Sequence, residues 1–344
     1  MKKSFTKIVV LFVGSLFCRG GVTVCGCLRA IGMKGETAFS NYHHLLSRCK
    51  FDILQGSKIL INMILPMVDY KIILIVDEHL ERRRGEKIKA KAIYRDPVAS
   101  SKKWLVKCFG LKWTVISILV VFPWSKRPFA LPIMCALRYP EDHLKNLKRR
   151  TRSGTDIACQ MLYQIRRWFP DLSITVLGDG DYARVKIWKA CQRLSMGLIS
   201  RMRADARLYY YPEAISQKKK GPKRKKGERI IRPNDSLWEK VTVNWYGGQI
   251  RELSAAVIEC LWIAGKSSTM IPLKAVWVKM RSTDELILMC TGVDMQVVSI
   301  IEAYVTRWNL EVTFRECRDY LGVETQRQWV QFSNIGNTLI HPHR

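Results

Sequence analysis

The chain has 344 residues, 48% of them hydrophobic, with 58 Lys and Arg against 29 Asp and Glu, a formal charge of +29. The length exceeds one average domain and the apolar content suffices for a real core, which excludes a small disulfide-stapled secreted scaffold. A charge excess of this size repels itself on folding unless an anion compensates it, so the expected partner is a polyphosphate, DNA or RNA first, with an anionic membrane surface as the competitor.

The opening "MKKSFTKIVVLFVGSLFC" mimics a signal peptide, with two lysines before a short apolar run. No clean small-x-small cleavage site follows, and Gly14 and Ser15 interrupt a run already too short to span a bilayer. The expectation is a buried helix in a cytoplasmic, nucleoid-associated protein. Eleven cysteines, an odd number, lie mostly singly in apolar runs and read as reduced thiols. Cys25, Cys27, His43, His44 and Cys49 match no usual zinc spacing, and ordinary packing accounts for them. The first 65 or so residues read mostly helical, and Ser40 or Asn41 is a candidate cap within "GETAFSNYHHLLSRCKFD".

The period then changes. "YKIILIVDEH" is a continuous Ile- and Val-rich run, expected to be a buried strand ending at Asp77. "LKWTVISILVVFPW" and "RPFALPIMCALRYP" predict further strands, with Pro123, Pro128 and Pro132 at turns and edges. From Thr155 an amphipathic helix turns Ile157, Met161, Leu162 and Ile165 inward and stops at Pro170. "LSITVLGDGDYA" is the next buried strand, ending in Asp179. A helix around "YARVKIWKACQRL" and a strand in "LSMGLISRMRAD" complete a β-helix-β order that argues for an α/β core.

A basic Gly/Pro linker follows, with nine basic residues and one acid, Glu228, between Lys218 and Arg232. Lys218, Lys219, Lys220, Lys223, Arg224, Lys225 and Lys226 are its candidate phosphate contacts. "EKVTVNWYG", "IRELSAAVIECLWI", "LKAVWVKM" and "ELILMCTGVD" then read as strands, with turns at Gly247-Gly248 and Ser267-Ser268. A last helix is expected from near Met295, capped by Asp294 and closed before Gly322.

Three acids stand out. Asp77 and Asp179 end apolar strands, where α/β sheets bind ligands. Glu311 lies on the last helix. At about 100° per residue, Tyr304, Arg307, Glu311 and Arg318 fall within roughly 60° of one another, a narrower polar stripe than a solvated face needs. Convergent carboxylates need a cation, and hard oxygen ligands select Mg²⁺, with Mn²⁺ as a substitute. Such ions activate water or a 3′-hydroxyl for phosphodiester displacement. Each acid also has a plainer role open to it: Asp77 as a cap, Asp179 in an Asx-turn before Gly180, and Glu311 paired with Arg307 one turn back.

The helix resembles the Y-x2-R-x3-E-x6-K signature of bacterial insertion-sequence DDE transposases, matching at Tyr304, Arg307 and Glu311, with Arg318 in place of the final Lys. "IILIVDEH" and "VLGDGDYA" resemble the family's two catalytic strands, and the likeness runs from about Asp77 to Trp329. The resemblance implies an RNase H-like α/β fold: a mixed sheet with flanking helices, preceded by a helical N-terminal region and interrupted by an inserted β-rich subdomain. Residues 1–66 would be the helical region, possibly DNA-binding, and 67–205 the first part of the core. The insertion with its basic linker would occupy 206–293, the catalytic helix 294–330, and an atypical tail 331–344. Asp77, Asp179 and Glu311 would be catalytic and hold Mg²⁺, with Asp181 as an alternative to Asp179. Tyr304, Arg307 and Arg318 would grip the DNA. The implied activity is cleavage and joining of double-stranded DNA at element ends and target, by a homodimer on DNA with no membrane partner. The closing "VQFSNIGNTLIHPHR" departs from the family, which implies a C-terminal truncation and, as the alternative function, an inactive DNA-binding inhibitor.

Overall fold

The computed structural model describes residues 2–324, apart from 50–51, 69–70, 87, 89, 97, 102, 126, 147, 149, 213–223, 265–268, 281–284 and 293. Lys218, Lys219, Lys220 and Lys223, the Ser267-Ser268 turn and the tail therefore lie outside the described residues.

The chain begins with helices α1 (Lys2–Phe17), α2 (Val24–Ala30), α3 (Ser40–Arg48) and α4 (Ile53–Ile64). Burial of α1 does not hold. Val10 and Leu11 pack on a small cluster of Val24, Leu28 and Tyr42, while Phe5, Phe12, Leu16 and Phe17 stay exposed. The physical reason is that two short helices cover only one side of α1. No side chain caps α3, whose N-cap is Phe39 rather than Ser40 or Asn41. Side chains cap its neighbours instead: Thr23 accepts from the Gly26 N–H at 3.0 Å on α2, and Asp52 from the Gln55 N–H at 2.9 Å on α4. No helix among the described residues is long and apolar enough to cross a membrane.

The core is one mixed sheet. Its strands are β1 (Lys71–Arg82), β2 (Ala92–Arg95), β3 (Lys107–Val121) and β4 (Pro128–Arg138), then β5 (Ser173–Gly178) and β6 (Gly197–Met202). Between β4 and β6 run α5 (Glu141–Asn146), α6 (Gly154–Trp168) and α7 (Val185–Arg193). Strand β1 is central: it pairs in parallel with β5 and antiparallel with β3, while β4 pairs with β3 and β6 runs parallel to β5. Pro132 is tolerated inside β4 because the ladder shifts register between Ile116 and Ser117, opposite it. Helix α6 starts one residue earlier than expected, because Ser153 and Asp156 form a reciprocal capping box. Ile157, Met161, Leu162 and Ile165 all point inward.

The β-rich segment continues the same sheet. It comprises β7 (Leu208–Tyr209), β8 (Arg229–Ile230), β9 (Trp238–Asn244), β10 (Ile250–Ile263), β11 (Met270–Lys279) and β12 (Glu285–Cys290). Strand β12 pairs antiparallel with β6 and leads on to β11 and β10, so hydrogen bonds tie this segment to the core. Gly247 and Gly248 turn the β9–β10 hairpin at φ 77° and 76°, a left-handed conformation that favours glycine.

Two helices close the fold, α8 (Val297–Thr306) and α9 (Trp308–Leu321). The expected single helix divides at Arg307, whose N–H bonds the Tyr304 carbonyl at 3.2 Å, a tighter turn than the α-helical repeat. Its start is also corrected: the N-cap is Gln296, not Asp294, and no side chain caps it. The close before Gly322 is as expected, with Gly322 in the left-handed conformation at φ 69°.

Strand alternation assigns the two faces. Ile72, Leu74 and Val76 of β1 join a core with α4, α6 and α7, whereas Ile75 joins Leu177, Ile199, Ile300, Ile301 and Leu310 under α8 and α9. Each such Leu or Ile, fully buried, contributes about 1.5–3 kcal/mol. The fold is thus the expected mixed α/β sheet with flanking helices. Asp77, two positions after Ile75, faces α8 and α9.

Candidate active site

Asp77 does not end its strand. Strand β1 runs on to Arg82 because its antiparallel pairing with β3 continues after the parallel pairing with β5 stops. That stop is the informative feature. The last parallel pair is Val76 with Gly178, so Asp77 and Asp179 are the next residue on each strand. They emerge side by side at the carboxyl end of the parallel pair, where ligands of α/β sheets bind. Gly178 permits this: a Cβ there would stand 2.5 Å from the Tyr182 Cβ, so the ring of Tyr182 can fold over the strand end only above a glycine.

Asp179 makes the Asx-turn, accepting from the Asp181 N–H at 2.9 Å, while its carbonyl accepts from Ser200 Oγ at 2.5 Å. Asp181 is largely exposed and pairs with Arg184, whereas the Asp179 carboxyl is pushed above its usual range, by burial first. Of the two, it is Asp179 whose charge acts on Asp77.

The third acid arrives on α9. Leu310 and Val312 are buried, Leu310 in the core with Ile75 and Leu177, which seats the helix on the sheet, and Thr313 Oγ1 donates to the Asn309 carbonyl one turn back at 3.0 Å. Glu311 remains 41% exposed. Arg307, only 14% exposed, bridges the acids: Nη1 stands 3.3 Å from Asp77 Oδ2 and Nη2 3.0 Å from Glu311 Oε1. Asp179 also feels its field. One guanidinium thus serves three carboxylates. Burial, with Asp179 and Glu311 adding repulsion, outweighs Arg307 and raises the Asp77 pKa to about 7.

The donor set is all hard oxygen, which suits Mg²⁺ or Mn²⁺. The acids converge around Arg307 but do not form a closed cage. Among the described residues no three His, Cys, Asp or Glu side chains are grouped to hold one ion. Arg307 supplies the positive charge beside Asp77 and Glu311.

The remaining predicted residues divide. Tyr304 is half-buried, its ring 5.9 Å from the Arg307 guanidinium, with Arg201 and Asp179 in its field. Arg318 lies apart from the bridge and stands 3.7 Å from Glu324, which also meets His79 at 2.6 Å. His79 was not singled out from the sequence. It is two residues after Asp77, hence on the same strand face, and it packs on Phe314 of α9 with ring centroids 4.7 Å apart. Arg224, Lys225 and Lys226 are exposed, and Lys226 Nζ sits 3.8 Å over the Tyr209 ring.

The family described as DDE superfamily endonuclease matches residues 2–254. The chain belongs to that family. The match includes Asp77 and Asp179 and stops short of α8 and α9, so Glu311 rests on geometry alone. No curated protein matches the chain. Among solved structures it is similar to the piggyBac transposase in a synaptic complex with hairpin DNA, at 12% identity and a TM-score of 0.43. That likeness covers 92% of this chain and 58% of the other, so the chain spans little more than half the length of that transposase.

Proposed function

We propose that this DDE endonuclease is a DNA transposase of the bacterial insertion-sequence type, with an RNase H-like core that cleaves and joins strands at element ends. The observation that carries the proposal is the convergence of Asp77, Asp179 and Glu311 on one guanidinium, from two adjacent strand ends and a helix. Residues 67–205 and 294–330 form the core on this reading. Residues 206–293 are an insertion grown from its sheet edge, 1–66 a helical N-terminal region, and 331–344 a tail outside the described residues.

The three carboxylates would hold divalent metal, Mg²⁺ or Mn²⁺, which when bound in a pair supplies an activated oxygen nucleophile and stabilises the leaving oxygen. The chain's own groups do the rest. Burial holds the Asp77 carboxyl above the usual carboxylate range, and a cation beside it would favour its ionised form. Arg307, which pairs with Asp77 and Glu311, carries a planar fork that would suit two phosphate oxygens. Tyr304 supports the guanidinium from behind. Arg318 and the basic run from Lys218 to Lys226 would add backbone contacts, and the protein would act on double-stranded DNA as a homodimer.

A second reading, a DNA-binding protein that does not cut, is favoured by one observation: the acids as placed are closed on Arg307. Duplexes made from the DNA flanking the coding sequence, labelled and incubated with and without Mg²⁺, separate the two. The first reading expects metal-dependent nicking that Glu311→Gln abolishes while DNA binding persists. Binding with no nicking under any divalent cation selects the second.

A further inference from the structure

A groove of about 680 Å³ opens at Gly180, the residue after Asp179. It lies outside the carboxyl ends of the parallel strands β5 and β6, the region where α/β sheets place ligands. Two kinds of residue line it. Met202, Trp262, Ile263 and Ala264, all buried, form an apolar floor. Arg184, Lys186, Arg203 and Arg207 form the rim, against a single acid, Asp205.

The rim cations differ in how far internal pairing holds them. Arg184, 60% exposed, meets the exposed Asp181 carboxylate of its own turn at 3.6 Å, a pair that contributes little. Arg203, 82% exposed, holds exposed Asp205 through two hydrogen bonds of 2.8 and 3.0 Å, and the same planar fork suits two phosphate oxygens. Arg207 has no carboxylate partner among the described residues. Lys186 is the exception, tied to Asp156 of the α6 cap. The α7 end at the groove has no capping side chain and no acid in its first turn. Beyond the groove the charge continues, because Arg229, on β8 beside the basic linker, reaches Asp205 electrostatically.

We propose that this groove seats unpaired nucleotides of the DNA strand leaving the carboxylate cluster. Their phosphates lie on Arg184, Arg203 and Arg207, and their sugar and base faces lie on the floor between Met202 and Trp262. The proposal rests on the DNA-cleaving reading and extends it with a strand path from Asp179 past Gly180, over the carboxyl edge of the sheet to its α6–α7 face, where Met202 and Trp262 lie, and on toward Arg229. An apolar floor under a cationic rim is what a single strand, with its π-faces exposed, requires.

The test uses the full chain, a fluorescent single-stranded oligonucleotide and a salt series. Arg184→Gln with Arg203→Gln is expected to flatten the slope of log affinity against log salt by about 1.4, or about 0.7 per lost phosphate contact. Lys189→Gln with Arg193→Gln removes two exposed charges from α7 outside the groove and should leave the slope near the wild-type value. Ala206→Phe narrows the groove without changing charge and should weaken the same probe about tenfold, the scale of one lost stacking contact. Equal slopes for the two double variants, or an unchanged affinity for a folded Ala206→Phe protein, overturn the groove. Wild-type protein that binds no DNA at all overturns the functional reading instead.

Discussion

Replacing Asp77 by Asn removes a charge that the fold holds at a cost. The Asp77 pKa rises from 3.8 to about 7, roughly 3 units, which at about 1.4 kcal/mol per unit is at most about 4 kcal/mol. Between about pH 4 and pH 7 the folded chain keeps the Asp77 proton while the unfolded chain has lost it. Unfolding free energy therefore falls as pH rises through that window and levels off above it. Asn carries no such penalty. In chelator at pH 8, Asp77→Asn should be more stable than the wild type by about 2–4 kcal/mol, a Tm rise on the order of 4 °C for a chain this long. Below pH 4 the two should converge. A shallower slope persists in the variant, because the Asp179 pKa is raised too. Adding Mg²⁺ or Mn²⁺ at pH 8 should stabilise the wild type more than the variant. The assay is urea unfolding across pH 4–9, with and without divalent cation. Parallel pH profiles, or a variant less stable than wild type at pH 8, would refute the reasoning, since burial would then not be the dominant influence on this carboxyl.

Arg307→Ala strips three acids of their shared cation and should cost about 3 kcal/mol in chelator, with much of it recovered on adding Mg²⁺ or Mn²⁺. The same variant should lose strand cleavage far more than DNA binding, and equal losses would reduce Arg307 to a general phosphate contact. Gly178→Ala forces a Cβ to within 2.5 Å of Tyr182 and should destabilise by about 1–3 kcal/mol in urea unfolding, with a matching loss of cleavage as the Asp179 turn shifts. In native thiol labelling, exposed Cys25 should react first, while Cys191 and Cys260, buried with pKa values pushed up to about 12, should react only on unfolding.

Much of this protein was legible in the sequence because its signals are local. Apolar runs at Ile72–Val76 and Ile174–Leu177 read directly as buried strands. Period 3.6 placed the inward residues of α6, and the stripe Tyr304–Arg307–Glu311 placed an acid and a guanidinium on one helical face. Local signals failed where packing decides. The apolar run of α1 looked buried, yet among the described residues it packs mainly on α2 and α3 and leaves Phe5, Phe12, Leu16 and Phe17 exposed. Asp77 looked terminal, yet β3 pairs past it to Arg82. The last helix looked continuous, yet it tightens at Arg307. Three further facts belong to the tertiary structure alone. The parallel register stops at Val76 and Gly178, which sets Asp77 beside Asp179. Strand β12 joins β6, which makes the β-rich segment part of one sheet. Arg307 reaches across from the helices to Asp77, because burying several carboxylates together demands a positive charge and α8 and α9 bring this one within reach. Sequence alone determined which residues carry the charge and which carry the core. Only the fold could decide which charges meet, because pairing register and helix docking join residues more than a hundred positions apart.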